Sequence, residues 1–245
     1  MEQMLARLTE KKRRLDTYQP LPPELVKNLY QWFRVELTYT SNAIEGNTLT
    51  HSETALVLEK GITIGGKTIA EHLEAVNHAN AIDFIMQLAQ KNQAQVTLDD
   101  LLEIHKRVLQ KIDDDNAGFL RKVAVRIMGS RVPRPNYLKV PELMDEFVLW
   151  LNNVHDHPAK IAADAHLKFV FIHPFVDGNG RTARLLLNLL LVQAGYPLVI
   201  ISNEKRKEYI DALEKSFLTG DNKDFYTLVY AAVESSLDQY LEAVE

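Results

Sequence analysis

The sequence predicts a mostly α-helical protein with one small β-hairpin laid over it. Apolar residues recur three and four apart through most of the chain, the spacing of helices with a single buried face. Prolines, glycines and Ser/Thr caps cut that pattern into runs of helical length. Only one stretch departs from the period: Val123, Val125 and Ile127 alternate with Ala124, Arg126 and Met128, a strand pattern. A lone hairpin cannot build a sheet core, so it is expected to cover something.

Composition bounds the class. With 245 residues, 46% apolar and 25% charged, the chain suits one large domain, or one domain with an extension, around a substantial core. The absence of cysteine excludes disulfides and thiolate metal sites and fits a reducing compartment. A net charge of −5 argues against a nucleic-acid surface. The start, Met1-Glu2-Gln3-Met4-Leu5, lacks the basic-then-apolar order of a signal peptide. The most apolar run, Leu185 to Ile201, is interrupted by Asn188, Gln193, Gly195 and Pro197, so no membrane span is expected. The expectation is a cytoplasmic protein.

The elements follow in order. Met4, Leu5, Leu8 and Leu15 share one side of a first helix from Glu2 to about Tyr18. Its Lys11-Lys12-Arg13-Arg14 cluster, flanked by Glu10 and Asp16, reads as a solvated face before it reads as a polyanion patch. Pro20, Pro22 and Pro23 break the chain, and Pro23 suits the first turn of a second helix. That helix runs through Leu25, Leu29, Trp32, Phe33, Val35 and Leu37 to Glu45, with Gly46 as its stop. Thr50 or Ser52 caps a short helix ending at Lys60, and Thr68 opens a long one to about Gln90. Thr97 caps another, Leu98 to about Ile112, ended by the Asp113–Asn116 loop. After the expected hairpin, Pro133 and Pro135 confine the chain to an edge. Pro141 opens a helix to about Asn152, and Pro158 opens another running into His173. A very apolar helix, Arg181 to Gln193, precedes two closing helices, about Asn203 to Leu218 and Asp224 to Ala243.

Between the Pro158 helix and the apolar helix lies the chemistry: His173-Pro174-Phe175-Val176-Asp177-Gly178-Asn179-Gly180-Arg181-Thr182-Ala183-Arg184. A residue before proline is pushed out of the α region, so the helix should end at His173. There the dipole favours a proton on the imidazole, and histidine supplies a base titrating near neutrality. Gly178-Asn179-Gly180 permits positive φ angles and close backbone approach, so successive N–H groups can turn toward an anion. The helix that follows adds its N-terminal N–H groups and positive dipole end. Arg181 and Arg184, three apart, share a face and can meet one polyphosphate. Asp177 is repulsive beside a phosphate unless a hard cation lies between them, which implies Mg²⁺ or Mn²⁺. Phe175 reads as the apolar anchor of the loop. The alternative, a Gly-rich turn with two surface arginines and a stray histidine, explains each residue singly but not the set.

This stretch resembles the signature of the Fic family, HxFx(D/E)GNGRxxR, at every specified position. The resemblance implies a helical Fic fold and transfer of AMP from ATP to a Ser, Thr or Tyr hydroxyl of a protein, itself included, with Mg²⁺ present. His173 would deprotonate the hydroxyl, and Asp177 would hold the metal against the α- and β-phosphates. Gly178, Asn179 and Gly180 would form the anion cradle, with Arg181 and Arg184 on the β/γ end. Residues 119–135 would be the flap that covers the nucleotide and aligns the target by strand pairing, with Ile127, Met128, Gly129 and Ser130 at its turn. Tyr209, on a C-terminal helix, is the candidate for an adenine contact.

A second constellation is Ser41-Asn42-Ala43-Ile44-Glu45-Gly46-Asn47. Glu45 falls in the last turn of its helix, where the dipole disfavours an anion by about 0.3–1 kcal/mol. By its residues alone it reads as a solvated glutamate before a stop glycine, better tolerated if a cation faces it. The segment is also similar to the (S/T)xxxE(G/N) inhibitory motif of Fic proteins. That implies an ion pair between Glu45 and Arg184, with Ser41 fixing the helix, and ATP held askew with its α-phosphorus out of line. It divides the chain into an N-terminal helical extension, 1–95, with an inhibitory helix at about 37–46, and a Fic core, 96–245.

His155, His157 and His166 lack the companions of a zinc site, and Asp113–Asp115 lack those of a calcium loop. The expected partners are ATP and a protein with a hydroxyl side chain; exposed faces of the first two helices could pair two copies. Rival readings are removal of AMP, a different nucleotide donor, and a regulatory, DNA-associated module with a vestigial fold.

Overall fold

A computed structural model describes residues 1–91, 95–127 and 129–245. Among them the chain is all-α, with ten α-helices: α1 (Glu2–Asp16), α2 (Pro23–Glu45), α3 (His51–Lys60), α4 (Ile69–Gln90), α5 (Leu98–Leu109), α6 (Val140–Asn153), α7 (Pro158–Ile172), α8 (Asn179–Gln193), α9 (Arg206–Thr219) and α10 (Lys223–Val244). Single 3₁₀ turns, Tyr137–Lys139 and Asn203–Lys205, lead into α6 and α9.

The helix starts follow the capping chemistry. Thr50, Thr68 and Thr97 each accept from the third backbone N–H of their helix, and Glu53, Glu71 and Asp100 return the bond. Proline opens α2, α6 and α7 within the first two positions. Gly46, Gly61 and Gly220 end α2, α3 and α9 in the left-handed conformation. Helix α5 stops at Leu109, short of the expected Ile112, because Lys111 turns left-handed with its N–H bound by Asp114.

The centre is α8. Leu185, Leu186, Leu187, Leu189 and Leu191 are all buried, so beyond its first turns it is buried on every side and largely apolar, as a helix enclosed by others must be. Helices α7, α4, α5 and α2 pack around it. One core cluster unites Leu8, Phe33 and Ile82 of the first helices with Phe169, Leu186 and Val233 of the later ones. A small satellite, Leu49, Val57 and Ala75, joins α3 to α4. Helix α1 lies along α10, with Leu8 and Leu15 inward. Its basic cluster is spent on ion pairs: Lys11 with Asp238, Lys12 with Asp16, Arg13 with Glu10 and Arg14 with Glu245. No helix among the described residues is long and apolar enough to cross a membrane.

The expected hairpin is not formed: the described residues of 119–135 contain no strand. The return limb has few donors left to make a ladder. The Arg131 N–H goes to Glu214 Oε1 (2.7 Å), the Val132 N–H goes to Ser130 Oγ (3.2 Å), and Pro133 and Pro135 have none. Arg121 holds the two limbs instead. Its guanidinium donates to the carbonyls of Val123 (3.0 Å), Pro135 (2.6 Å) and His173 (2.7 Å).

Candidate active site

The motif forms the corner between α7 and α8. Pro174 bars His173 from continuing α7, and His173 caps the helix in the left-handed region (φ 51°, ψ 60°). Asn179 then closes the loop on itself: its Oδ1 accepts from the Phe175 N–H and its Nδ2 donates to the Phe175 carbonyl, both at 3.0 Å. Phe175 is fully buried and stacks on His105 of α5, ring centroids 3.5 Å apart and 2° from parallel. His105 fixes the loop in a second way. Its Nδ1 accepts from the Gly118 N–H (3.0 Å), which leaves the proton on Nε2 to be donated to the Asp177 carbonyl (3.0 Å). Burial pushes its pKa down to about 4, so the ring stays neutral in that tautomer.

The two glycines serve different ends. Gly178 has φ 74°, and a Cβ there would press on the His105 ring at 3.2 Å. Gly180 is not left-handed; it is required by space, because a Cβ would fall on the Glu45 carboxylate. No side chain caps α8, so its first-turn N–H groups have no side-chain acceptor.

The sequence leads one to expect a His173 that readily takes a proton at a helix end; the structure reverses that. Burial, then the nearby Arg134 guanidinium, pushes its pKa down to about 4, and Nδ1 has no partner among the described residues. Desolvation of a charge outweighs a helix dipole. At neutral pH the imidazole is therefore an unprotonated base.

Both arginines are buried, Arg181 3% exposed and Arg184 2%. Arg184 is held wholly by protein. Nε donates to Ser41 Oγ (2.9 Å), and Nη2 donates to the Ser41 carbonyl (2.8 Å) and to Glu45 Oε1 (2.7 Å). Nη1 donates to the Tyr209 hydroxyl (3.3 Å), which in turn contacts His166 Nε2 at 2.9 Å. The end of α2 is fixed from the other side by Arg206, whose Nε donates to the Ile44 carbonyl (2.6 Å). Arg181 donates to Glu74 Oε1 of α4 (3.0 Å) and to Asp177 Oδ2 (3.1 Å). His78 of α4 lies in the field of both guanidiniums with neither ring nitrogen partnered among the described residues; burial and those charges hold it far below the usual histidine range.

Among the expected site residues, Glu45, Ile127, Ser130, His173, Gly180 and Tyr209 line one cavity of about 130 Å³, beside Arg134 and Glu214. Ser130 is held there by Glu214 (2.7 Å). Gly129 turns the chain with φ 81°, and Met128 lies outside the described residues. Asp177 carries the one carboxylate of the loop, 67% exposed. No group of three metal-ligating side chains occurs among the described residues, so a metal here would complete its shell from a bound phosphate donor and water. That donor set is the one Mg²⁺ accepts. A larger cavity, about 630 Å³, opens at the far ends of α2 and α8 between Val26, Tyr30, Met86, Val192 and Tyr196. Its one acid, Asp83, is already bound by Arg34 and Tyr30.

Residues of this site absent from the sequence reading include His105, Arg121 and Glu74. His105 left a trace, a lone imidazole on the apolar face of α5 beside Leu101, Ile104 and Val108. The other two look like ordinary surface charges in sequence.

The Fic/DOC family model matches residues 95–191. The curated protein adenylyltransferase Fic of Drosophila virilis is 44% identical over 209 residues, 84% of this chain. That of Aedes aegypti is 41% identical over 212 residues. In both cases the chain spans 42% of the relative's length, about two fifths. A solved fragment of Fic-1 from C. elegans superposes with a TM-score of 0.91 at 35% identity, covering 99% of this chain and 72% of that one. A Fic domain containing signaling protein from Bacteroides thetaiotaomicron superposes with 0.87 at 27% identity, covering 98% of this chain and 97% of that one.

Proposed function

The chain belongs to the Fic/DOC family, and from that premise we propose that it is an autoinhibited protein adenylyltransferase, moving AMP from ATP to a Ser, Thr or Tyr hydroxyl of a protein. The observation that carries this reading is the neutral His173 imidazole in a cleft that also holds the uncapped start of α8, with Arg184 of the same helix gripped by Glu45.

In this reading the His173 imidazole takes the proton of the acceptor hydroxyl. The hydroxyl oxygen bonds to the α-phosphorus, the bond from that phosphorus to its bridging oxygen breaks, and pyrophosphate leaves with the electron pair. Gly178, Asn179 and Gly180 present backbone N–H groups to the phosphates, and Arg181 and Arg184 take the charge of the β/γ end. Asp177 would hold Mg²⁺, or Mn²⁺, which supplies charge neutralisation between phosphates when bound. Ile127, Gly129 and Ser130 cover the nucleotide, and Tyr209 forms the wall nearest the base. The cavity of about 130 Å³ is far smaller than the roughly 300 Å³ at which ligand sites begin, which supports a closed, inhibited state. Glu45 closes it, and Ser41 fixes its helix to Arg184.

Intact-mass measurement after incubation with ATP and Mg²⁺ tests the reading. The Glu45→Gly variant should gain AMP, on itself or on added protein, at least tenfold faster than the unaltered chain. Equal labelling of the two would remove the brake, and no labelling of either would remove the activity. Glu45 lies in the same cavity as His173, which favours a second reading: the same glutamate serving removal of AMP. Loss of the AMP mass from a modified protein, dependent on Glu45, tests it.

A further inference from the structure

Two carboxylates from the N-terminal helices meet the two motif arginines, and they arrive from different sides. Glu45 sits in the wall of the cavity beside Gly180, where donor phosphates enter in the reading above. Glu74 is no part of that wall; it reaches Arg181 from α4, behind the cradle.

Arg181 is clamped at both ends. Nη1 donates to Glu74 Oε1 (3.0 Å) and Nη2 to Asp177 Oδ2 (3.1 Å), which sets the plane of the guanidinium. A charge this deeply buried needs a counter-charge close by. Asp177, 67% exposed, is the weaker of the two; Glu74 is only 22% exposed. If Asp177 turns to a metal, Glu74 alone remains.

The same carboxylate faces the brake. Its Oε2 accepts from Asn47 Nδ2 (2.8 Å), in the loop that leaves α2. Asn47 Nδ2 also donates to the Glu71 carbonyl (3.0 Å), and Asn42 Nδ2, inside the last turn of α2, donates to the Glu74 carbonyl (3.2 Å). The first turns of α4 thus hold the end of the helix that carries Glu45, and one of their side chains holds Arg181.

We propose that Glu74 is a positioning residue shared by the donor site and the brake: one carboxylate oxygen sets Arg181 for the phosphates, and the other, through Asn47, registers the end of the Glu45 helix. This rests on the AMP-transfer reading, so the test is split. The first arm is calorimetric binding of a non-hydrolysable ATP analogue with Mg²⁺ in the Glu45→Gly background. Glu74→Gln should weaken binding about tenfold, the loss of one charge-assisted bond to Arg181. Glu74→Asp, which keeps the charge, should recover part of the loss. Unchanged binding, or equal loss in both variants, overturns the positioning role. The second arm is steady-state labelling in the same background. There KM for ATP should rise with the binding loss while kcat changes less than about threefold; a kcat that falls in step with kcat/KM overturns it. The third arm is Asn47→Ala in the otherwise unaltered chain, which should raise labelling severalfold by loosening the end of α2. No rise overturns the link to the brake. If Glu45→Gly transfers nothing, the AMP-transfer reading fails, and the calorimetric arm still decides the case of Glu74.

Discussion

At the scale of single residues, the site is governed by what burial does to charge. His173 is a base already stripped of its proton, its pKa pushed down to about 4 by burial and Arg134. The acidic limb of the kcat profile should therefore lie well below pH 6.5, with activity level from neutrality down to about pH 5. A limb at 6.5 would show the imidazole solvated during turnover. The His173→Ala variant should lose transfer by at least a hundredfold, the range of a general base, while calorimetry finds ATP binding retained because the cradle is intact. The same burial links stability to pH. His105, His166 and His173 are held near 4, 3 and 4 respectively, all by burial first. Unfolding lets each take a proton below its ordinary value of about 6.5, so stability is complete above that pH. It should fall by about 1.4 kcal/mol per pH unit per histidine on acidification toward the folded values. Thermal melts at pH 7 and pH 5 check this, the lower pH giving the lower Tm. Residue identity was the most legible level of the sequence where partners lie within twelve positions, as in 173–184. It was least legible where they do not: nothing local to Glu74 or Arg121 announces a partner more than fifty positions on.

At the scale of elements, local chemistry located the helices and failed at the flap. Thr50, Thr68 and Thr97 announce helix starts because the cap and its reciprocal partner are three residues apart, and Gly46 announces the end of α2 for an equally local reason. The alternation of Val123, Val125 and Ile127 is real, but a strand needs a partner with free donors. Prolines, the Glu214 carboxylate and the Ser130 hydroxyl remove most of them from the return limb. What stands in for a ladder is the planar fork of Arg121, reaching three carbonyls at once. An ammonium has three donors but presents them from a single atom, without the spread of the fork. Arg121→Lys should therefore loosen 119–135, seen as faster proteolytic cleavage within that segment, and should lower transfer about tenfold through misplacement of the flap. Unchanged cleavage and transfer would show that the segment is held otherwise.

At the scale of the whole molecule, the helices before residue 95 share one core with the matched family region. Leu8 of α1 is buried against α10, so Leu8→Ala should cost about 2–5 kcal/mol, read as a lower denaturant midpoint with an unchanged slope. A local fraying of α1, with the midpoint unmoved, would show that α1 melts separately. The shared core also fixes where Glu45 stands. Both ends of the Arg184–Glu45 pair belong to a single chain and ride on helices that cannot drift apart. In the proposed reading this makes Glu45 a competitor whose local concentration is set by geometry, beyond the reach of dilution. Labelling per molecule should stay constant over a hundredfold range of protein concentration; a rise on dilution would place the restraint between copies. The apparent affinity for ATP is then the intrinsic affinity scaled by the fraction of molecules whose Arg184 is free. Anything that shifts that fraction changes the nucleotide level at which the protein responds, and leaves the chemistry at His173 as it was.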